Sequence, residues 1–170
     1  MSEIHWKYLY SEAFKLRSAI AAYLLRDCPT IIELGGYKTP ISGFVNDKTV
    51  FSMDPRTEEL HDGNIHHLPI RFQDWQWEPI KPYGVVMLGL ELHMEEDAWK
   101  RLFTLIEESA ATVIEIPNEH IHSVNQLDRI LQNVSKTITT KVTLDLNGND
   151  TGDLTGSAPP KYIRQIQLLS

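Results

Sequence analysis

The fold of this chain is decided by one stretch, Thr30-Ile31-Ile32-Glu33-Leu34-Gly35-Gly36. Apolar residues, two of them isoleucines, run into an acid and a glycine pair, which is how a short buried parallel strand ends in a tight turn. Gly35 and Gly36 allow positive φ and carry no Cβ, so a nucleotide-like group could lie close to the main chain at the carboxyl end of this strand. An ordinary strand-to-loop turn is the alternative.

Composition narrows the class of protein. A chain of 170 residues with 42% hydrophobic content fits one compact domain, residues 1–170, around a single core. Its net charge of −7, with scattered Lys and Arg, offers no face for a phosphate backbone, so we expect no nucleic-acid partner. Cys28 is the only cysteine, which fits a reducing compartment and a small buried residue at a helix end. No stretch resembles a leader or a membrane span, so we expect a cytoplasmic protein without membrane contact.

Helical and strand patterns alternate along the chain. Strands are predicted at 30–34, 49–54, 66–70, 83–90, 111–116, 137–146 and 161–169. Helices are predicted at 11–26, around 99–106 and around 121–131, with a weakly helical stretch at 41–46, a turn or short helix at 56–61 and a mobile connection at 147–160. The last two strands are joined without a helix and so predict an antiparallel hairpin. The predicted fold class is α/β: a single Rossmann-like three-layer α/β/α domain, with a mostly parallel seven-stranded sheet and a C-terminal antiparallel β-hairpin.

Polar residues follow several of these strands. Asp54 lies 21 positions after Glu33. A strand, a turn, a short helix and a second strand fill about that length, so Asp54 is expected beside the first glycine turn. A carboxylate at that place can accept hydrogen bonds from both hydroxyls of a ribose. Asp74 could accept a hydrogen bond from the amine of an adenine on which an apolar ring stacks. A surface loop with one anchored tryptophan is the equal alternative there. Glu91 and His93 follow the strongest buried strand, where reactive groups of open α/β sheets lie.

This arrangement resembles the class I S-adenosylmethionine-dependent methyltransferases over residues 17–170. Five βα-type units closed by a hairpin are similar to that family's topology. Glu33 and Gly35 match the acid and the first glycine of the family's first motif, whereas Tyr37 and Thr39 stand where its later glycines usually stand. The resemblance therefore implies the family's fold and its cofactor, S-adenosylmethionine.

The resemblance also implies a function, methyl transfer to a small-molecule or peptide acceptor. The implied cofactor-binding residues lie at strand ends: Glu33, Gly35, Gly36, Tyr37, Asp54, Asp74, Trp75 and Leu90. Glu91 and His93 are the implied catalytic residues. His93 is the candidate base because an imidazole titrates near neutral pH, and a hydrogen-bonding structural histidine is the alternative. The aromatic N-terminal segment, the 147–160 connection or a second subunit of a homodimer would complete the acceptor walls.

Metal binding and two other functional classes are the alternatives to this interpretation. We expect no metal site, because the adjacent His66 and His67 point to opposite faces of a strand and His120 and His122 do not share a helix face. A non-catalytic binding or scaffolding subunit is the alternative if Tyr37 and Thr39 crowd the methionine part of the pocket. A nicotinamide-dependent enzyme is disfavoured by the missing GxGxxG spacing and by the terminal hairpin.

Overall fold

The structure is a computed structural model that describes residues 12–36, 40–89, 92–117, 121–144 and 164–170. The strands are β1 (Thr30–Leu34), β2 (Thr49–Met53), β3 (Leu60–Asp62), β4 (Ile65–Leu68), β5 (Tyr83–Leu88), β6 (Ala111–Pro117), β7 (Ile138–Leu144) and β8 (Arg164–Leu169). The α-helices are α1 (Glu12–Leu24), α2 (Glu96–Glu108) and α3 (Ile121–Asn133), and two 3₁₀ turns span Ile41–Phe44 and Phe72–Asp74. In this part of the chain, no helix is long and apolar enough to cross a membrane.

The eight strands of the described residues form one sheet in the order β3-β4-β2-β1-β5-β6-β8-β7. The strands β4, β2, β1, β5 and β6 run parallel, while β3 pairs antiparallel with β4, and β8 pairs antiparallel with both β6 and β7. The chain leaves β1 for β2 on one side and later returns to β5 on the other side. The carboxyl end of β1 is therefore the point where the strand order reverses, which is where open α/β sheets bind ligands.

Alternate residues of the central strands divide between two cores. Ile32 and Val85 face the side covered by α2 and α3, and their neighbours Ile31 and Val86 face the side covered by α1 and by the 3₁₀ turn Ile41–Phe44. A strand buried on both faces needs apolar residues at successive positions rather than at every second one. The continuous apolar runs seen in the sequence thus become the middle layer of three, and the predicted three-layer α/β/α architecture is confirmed.

The prediction for residues 56–61 is wrong at its end. Leu60 and His61 do not belong to a turn or short helix but to β3, an additional strand that pairs with β4 through the two-residue turn Gly63-Asn64. Gly63 has φ +58°, a conformation that glycine adopts without steric cost. The fourth parallel strand, β5, also ends two residues before the predicted Leu90, because Gly89 turns the backbone with φ +74°.

Candidate active site

The glycine turn after β1 is fixed to the neighbouring strand. Gly35 has φ +86°, and its N–H donates to the carbonyl oxygen of Met53 at 2.8 Å, so the ends of β1 and β2 are tied together. A Cβ at Gly35 would meet no heavy atom within 4 Å, which leaves open space beside its main chain. A Cβ at Gly36 would instead lie 1.9 Å from Glu33 Oε1. The main chain of Gly35 is therefore accessible to a ligand, and the missing Cβ of Gly36 leaves room for the Glu33 side chain.

Glu33 lies beneath this turn with 1% of its surface exposed. Its Oε1 accepts from Ser52 Oγ at 2.7 Å, and its Oε2 accepts from the backbone N–H of Ile41 at 2.7 Å. Burial raises the pKa of Glu33 to about 7, although the hydrogen bonds from Ser52 and Ile41 oppose that rise. The carboxyl group thus joins β1 to β2 and to the following 3₁₀ turn. It also packs closely against Gly36 of the glycine turn.

Asp54 directly follows β2 and is 4% exposed. Its Oδ1 accepts from the backbone N–H of Arg56 at 2.9 Å and from Arg56 Nε at 3.0 Å, and its Oδ2 accepts from Arg56 Nη2 at 2.9 Å. The Arg56 side chain is 66% exposed. The guanidinium therefore covers the carboxylate from the solvent side.

A cleft of about 470 Å³ opens at the carboxyl ends of β1 and β2. Four stretches line it: Leu34–Gly35, Met53–Arg56, Ile70–Gln73 and Leu92–Met94. This volume lies within the usual range of small-molecule sites, which is about 300–1,000 Å³. The cleft brings together three of the predicted site residues, Gly35, Asp54 and His93. The predicted site residues Tyr37, Leu90 and Glu91 lie outside the described residues.

Asp74 and Trp75 do not line this cleft. Asp74 is half exposed and pairs with Arg71 at 2.9 Å. Trp75 is 2% exposed and packs beside Phe72 with the ring centroids 6.3 Å apart, where it borders a separate cavity of about 560 Å³ that Tyr83 also lines. Sequence reasoning missed Ile70 and Phe72 as the apolar residues at the cleft. The available signal was their position shortly after a parallel strand, since β4 ends at Leu68.

The segment that carries His93 is held by a residue far away in the sequence. Gln126 of α3 accepts from the backbone N–H of Leu92 at 2.9 Å and donates to the carbonyl oxygen of Leu92 at 2.6 Å. One amide side chain thus binds both polar groups of the residue before His93. The exposed His93 side chain is presented at the cleft from a segment that would otherwise be a simple loop. No pattern in the sequence indicates this role for Gln126.

A buried ion pair connects α1 to the sheet near the same edge. Arg17 Nη1 lies 3.0 Å from Glu115 Oε2, and the two side chains are 8% and 0% exposed. A Cβ added at Gly89, just after β5, would lie 3.7 Å from the same Glu115 oxygen. Among the described residues, no group of three or more His, Cys, Asp or Glu side chains could hold a metal ion.

Comparison with protein-family models and with curated proteins finds no match. Among solved structures, the chain is similar to the 1,6-didemethyltoxoflavin-N1-methyltransferase of Burkholderia thailandensis, which contains 1,6-didemethyltoxoflavin and S-adenosylhomocysteine. The TM-score is 0.64 at 11% identity, over 99% of this chain and 83% of that chain. The chain has the fold of the class I methyltransferases. The resemblance inferred from its sequence is thereby confirmed at the level of the fold.

Two further methyltransferase structures show the same likeness. The plantazolicin methyltransferase BpumL, in complex with S-adenosylhomocysteine, matches with a TM-score of 0.57 at 9% identity, over 99% of this chain and 89% of that chain. A candidate RNA methyltransferase from Pyrococcus horikoshii matches with a TM-score of 0.56 at 13% identity, over 93% and 82% of the two chains. The acceptors named for these three proteins differ, so the shared methyltransferase fold does not by itself select an acceptor.

Proposed function

We propose that this chain transfers a methyl group from S-adenosylmethionine to a small-molecule or peptide acceptor. The observation that carries the proposal is the cleft in which the Gly35 turn and the Asp54 carboxylate meet at the ends of adjacent parallel strands. Ligands of open α/β sheets bind at this position. Two solved proteins of the same fold hold S-adenosylhomocysteine, which supports the choice of cofactor.

The residues at the cleft fit the parts of this cofactor. The open space beside Gly35 admits a chain packed against the backbone, as the methionine portion would require. The Asp54 carboxylate is the acceptor proposed for the ribose hydroxyls. Ile70 and Phe72 supply apolar surface for the adenine, and we assign them this contact in place of Asp74 and Trp75 because only the former line the cleft. Glu33 acts indirectly in this proposal, since its carboxyl group supports the turn from below.

S-adenosylmethionine supplies a methyl group bound to a positively charged sulfur. The protein then has to align the acceptor with that group and to take up the acceptor's proton. We assign the second task to His93, which lies at the cleft on the segment fixed by Gln126. The roles of Glu91, Tyr37 and Leu90 stay predictions.

The charge of the protein favours a small-molecule or peptide acceptor over a nucleic acid. A net charge of −7 repels a polyanion, and binding along a phosphate backbone depends on clustered Lys and Arg. The two arginines at the cleft, Arg56 and Arg71, are each paired with a carboxylate. A small acceptor with little negative charge is not repelled by the net negative charge of the protein.

Calorimetric titration tests the cofactor directly. We expect S-adenosylmethionine and S-adenosylhomocysteine to bind, and NADH to give no heat of binding. Asp54→Asn should weaken the binding of S-adenosylhomocysteine by about 1–3 kcal/mol, because the ribose loses a charged acceptor. Asp97→Asn is the matched control, since that side chain is 99% exposed on α2. Failure of the wild-type chain to bind either compound would refute the proposal, and unchanged affinity in Asp54→Asn would remove Asp54 from the site.

A second function, a binding subunit without turnover, is favoured by one observation. Both oxygens of the Asp54 carboxylate are already engaged by Arg56, so the ribose acceptor is partly satisfied within the protein. Such a subunit could bind the cofactor weakly, or not at all, and would methylate nothing. Turnover with any small-molecule or peptide acceptor would end this second interpretation.

A further inference from the structure

Two histidines face each other across the β3–β4 hairpin, and neither of them lines the cleft. His61 and His66 are directly paired in the antiparallel register, so their side chains project from the same face of the sheet. Their Nδ1 atoms lie 2.9 Å apart. The His61 side chain is 51% exposed, so solutes can reach the pair.

The two Nδ1 atoms are within hydrogen-bond distance of each other, and each ring has a further contact. Glu59 Oε1 lies 3.1 Å from His61 Nε2, and the His66 ring stacks on Phe51 with a centroid distance of 4.9 Å. A neutral His61 that donates from Nε2 to Glu59 carries its lone pair on Nδ1. A carboxylate placed in this way fixes the tautomer of a metal-binding histidine and raises its basicity.

We propose that His61 and His66 bind a divalent transition metal ion through their two Nδ1 atoms, with the metal ion replacing the proton that one Nδ1 donates to the other and that proton passing to solvent. With metal–nitrogen bonds of about 2.0–2.1 Å, a separation of 2.9 Å between the nitrogens corresponds to an angle of about 90° at the metal. That angle suits the square-planar or octahedral sites of Cu²⁺ and Ni²⁺, whereas a tetrahedral Zn²⁺ site would hold the nitrogens farther apart. Water completes the coordination, because the hairpin provides two protein ligands.

His67, the neighbour of His66, takes no part in this site. It projects from the opposite face of β4, where its Nε2 lies 2.9 Å from Ser42 Oγ. His66 and His67 thus point to opposite faces of β4, as their adjacent positions predicted. The partner of His66 is His61, which lies on β3, the strand that the sequence did not predict. This metal site is independent of the proposed methyl transfer.

Titration of the full chain with CuCl₂ tests the site by calorimetry and by electron paramagnetic resonance. We expect His61→Gln and His66→Gln each to weaken Cu²⁺ binding at least about tenfold, and Glu59→Gln to weaken it by a smaller factor, because Glu59 orients His61 without contacting the metal. The wild-type spectrum should show two coordinated imidazole nitrogens, and each histidine variant one. His122→Gln, an exposed histidine on α3, is the matched control and should bind as the wild type does.

Equal affinity and equal spectra for the wild type, His61→Gln and His66→Gln would overturn the proposal, as would a wild-type chain that binds no Cu²⁺. The variants are compared only after urea unfolding has shown that they fold. Because the His61 and Glu59 side chains are 51% and 67% exposed, replacing either should leave the urea midpoint of unfolding close to that of the wild type. NiSO₄ in place of CuCl₂ should give the same order of affinities among the variants.

Discussion

The Asp54 carboxylate is bound on both oxygens by Arg56, two positions further along the chain. Oδ1 accepts two hydrogen bonds and is saturated, whereas Oδ2 accepts one and keeps a lone pair. A ribose that needs both oxygens must therefore displace the guanidinium. The required motion is small, because the Arg56 side chain is 66% exposed and can be hydrated when it leaves.

Arg56→Gln should therefore tighten the binding of S-adenosylhomocysteine. An ion pair with one exposed partner contributes about 0.5–1 kcal/mol, so the gain should be about two- to fivefold in Kd. Calorimetry measures it. Arg71→Gln is the matched control, because it removes a cation from the same cleft without changing the contacts of Asp54. Weaker binding by Arg56→Gln would mean that Arg56 contacts the cofactor instead of competing with it.

Gly36→Ala should destabilise the fold. The added Cβ would lie 1.9 Å from Glu33 Oε1 and 2.2 Å from Ser52 Oγ, so the buried carboxyl group would have to move. Overpacking of this kind costs about 1–3 kcal/mol in the free energy of unfolding. Gly43→Ala provides the comparison, because its Cβ would meet nothing within 4 Å, and it should change stability by less than about 0.5 kcal/mol. Urea unfolding measures the free energy of unfolding of both variants. Equal values for Gly36→Ala and Gly43→Ala would contradict the prediction.

Glu33 should make stability depend on pH. Burial raises its folded pKa from 4.5 to about 7, so its contribution to stability is fully present below pH 4.5 and is lost as the pH rises through about 7. The loss amounts to about 3 kcal/mol. Glu33→Gln cannot ionise, so the wild type should lose about that much stability relative to the variant between about pH 4 and about pH 8.

Urea unfolding at several pH values measures that difference. His67, whose pKa burial lowers, titrates in both proteins and cancels from the comparison. Parallel stability curves for the wild type and Glu33→Gln would show that the pKa of this carboxyl group is the same in the folded and the unfolded protein.

The sequence predicted the centre of the fold better than its edges. The bounds of β1 are those predicted from its apolar run and glycine pair, and Asp54 lies beside the glycine turn as its spacing indicated. These features depend on local patterns that repeat along the chain. The strand β3 was missed because three exposed residues carry no alternating pattern. Asp62-Gly63-Asn64 was the hairpin signal that could have revealed it.

The side-chain contacts at the cleft were harder to predict. Trp75 and Phe72 are both aromatic residues after the same strand, and the 3₁₀ turn between them decides which one reaches the cleft. The contact of Arg56 with Asp54 depends on the conformation of a long flexible side chain. Gln126 meets Leu92 across 34 positions in the chain, a separation over which a single sequence carries no pattern.

Gln126→Ala should release the segment before His93. The two hydrogen bonds to Leu92 would be lost, which should cost about 1–3 kcal/mol of stability. The amide of Leu92 should then exchange its hydrogen faster, because its acceptor is Gln126 Oε1. If His93 is the base, kcat should fall more than KM changes, since a displaced group impairs the reaction without removing a binding contact.

Asn133→Ala is the matched control for Gln126→Ala, because its side chain bonds the Arg129 carbonyl within the same helix, away from the cleft. It should leave the exchange of the Leu92 amide unchanged. Hydrogen exchange needs no acceptor molecule, so it tests the positioning role of Gln126 separately from methyl transfer. If Leu92 exchanged equally fast in the wild type and in Gln126→Ala, then Gln126 would not fix this segment. In that case, the position of His93 at the cleft would have to depend on its own contacts.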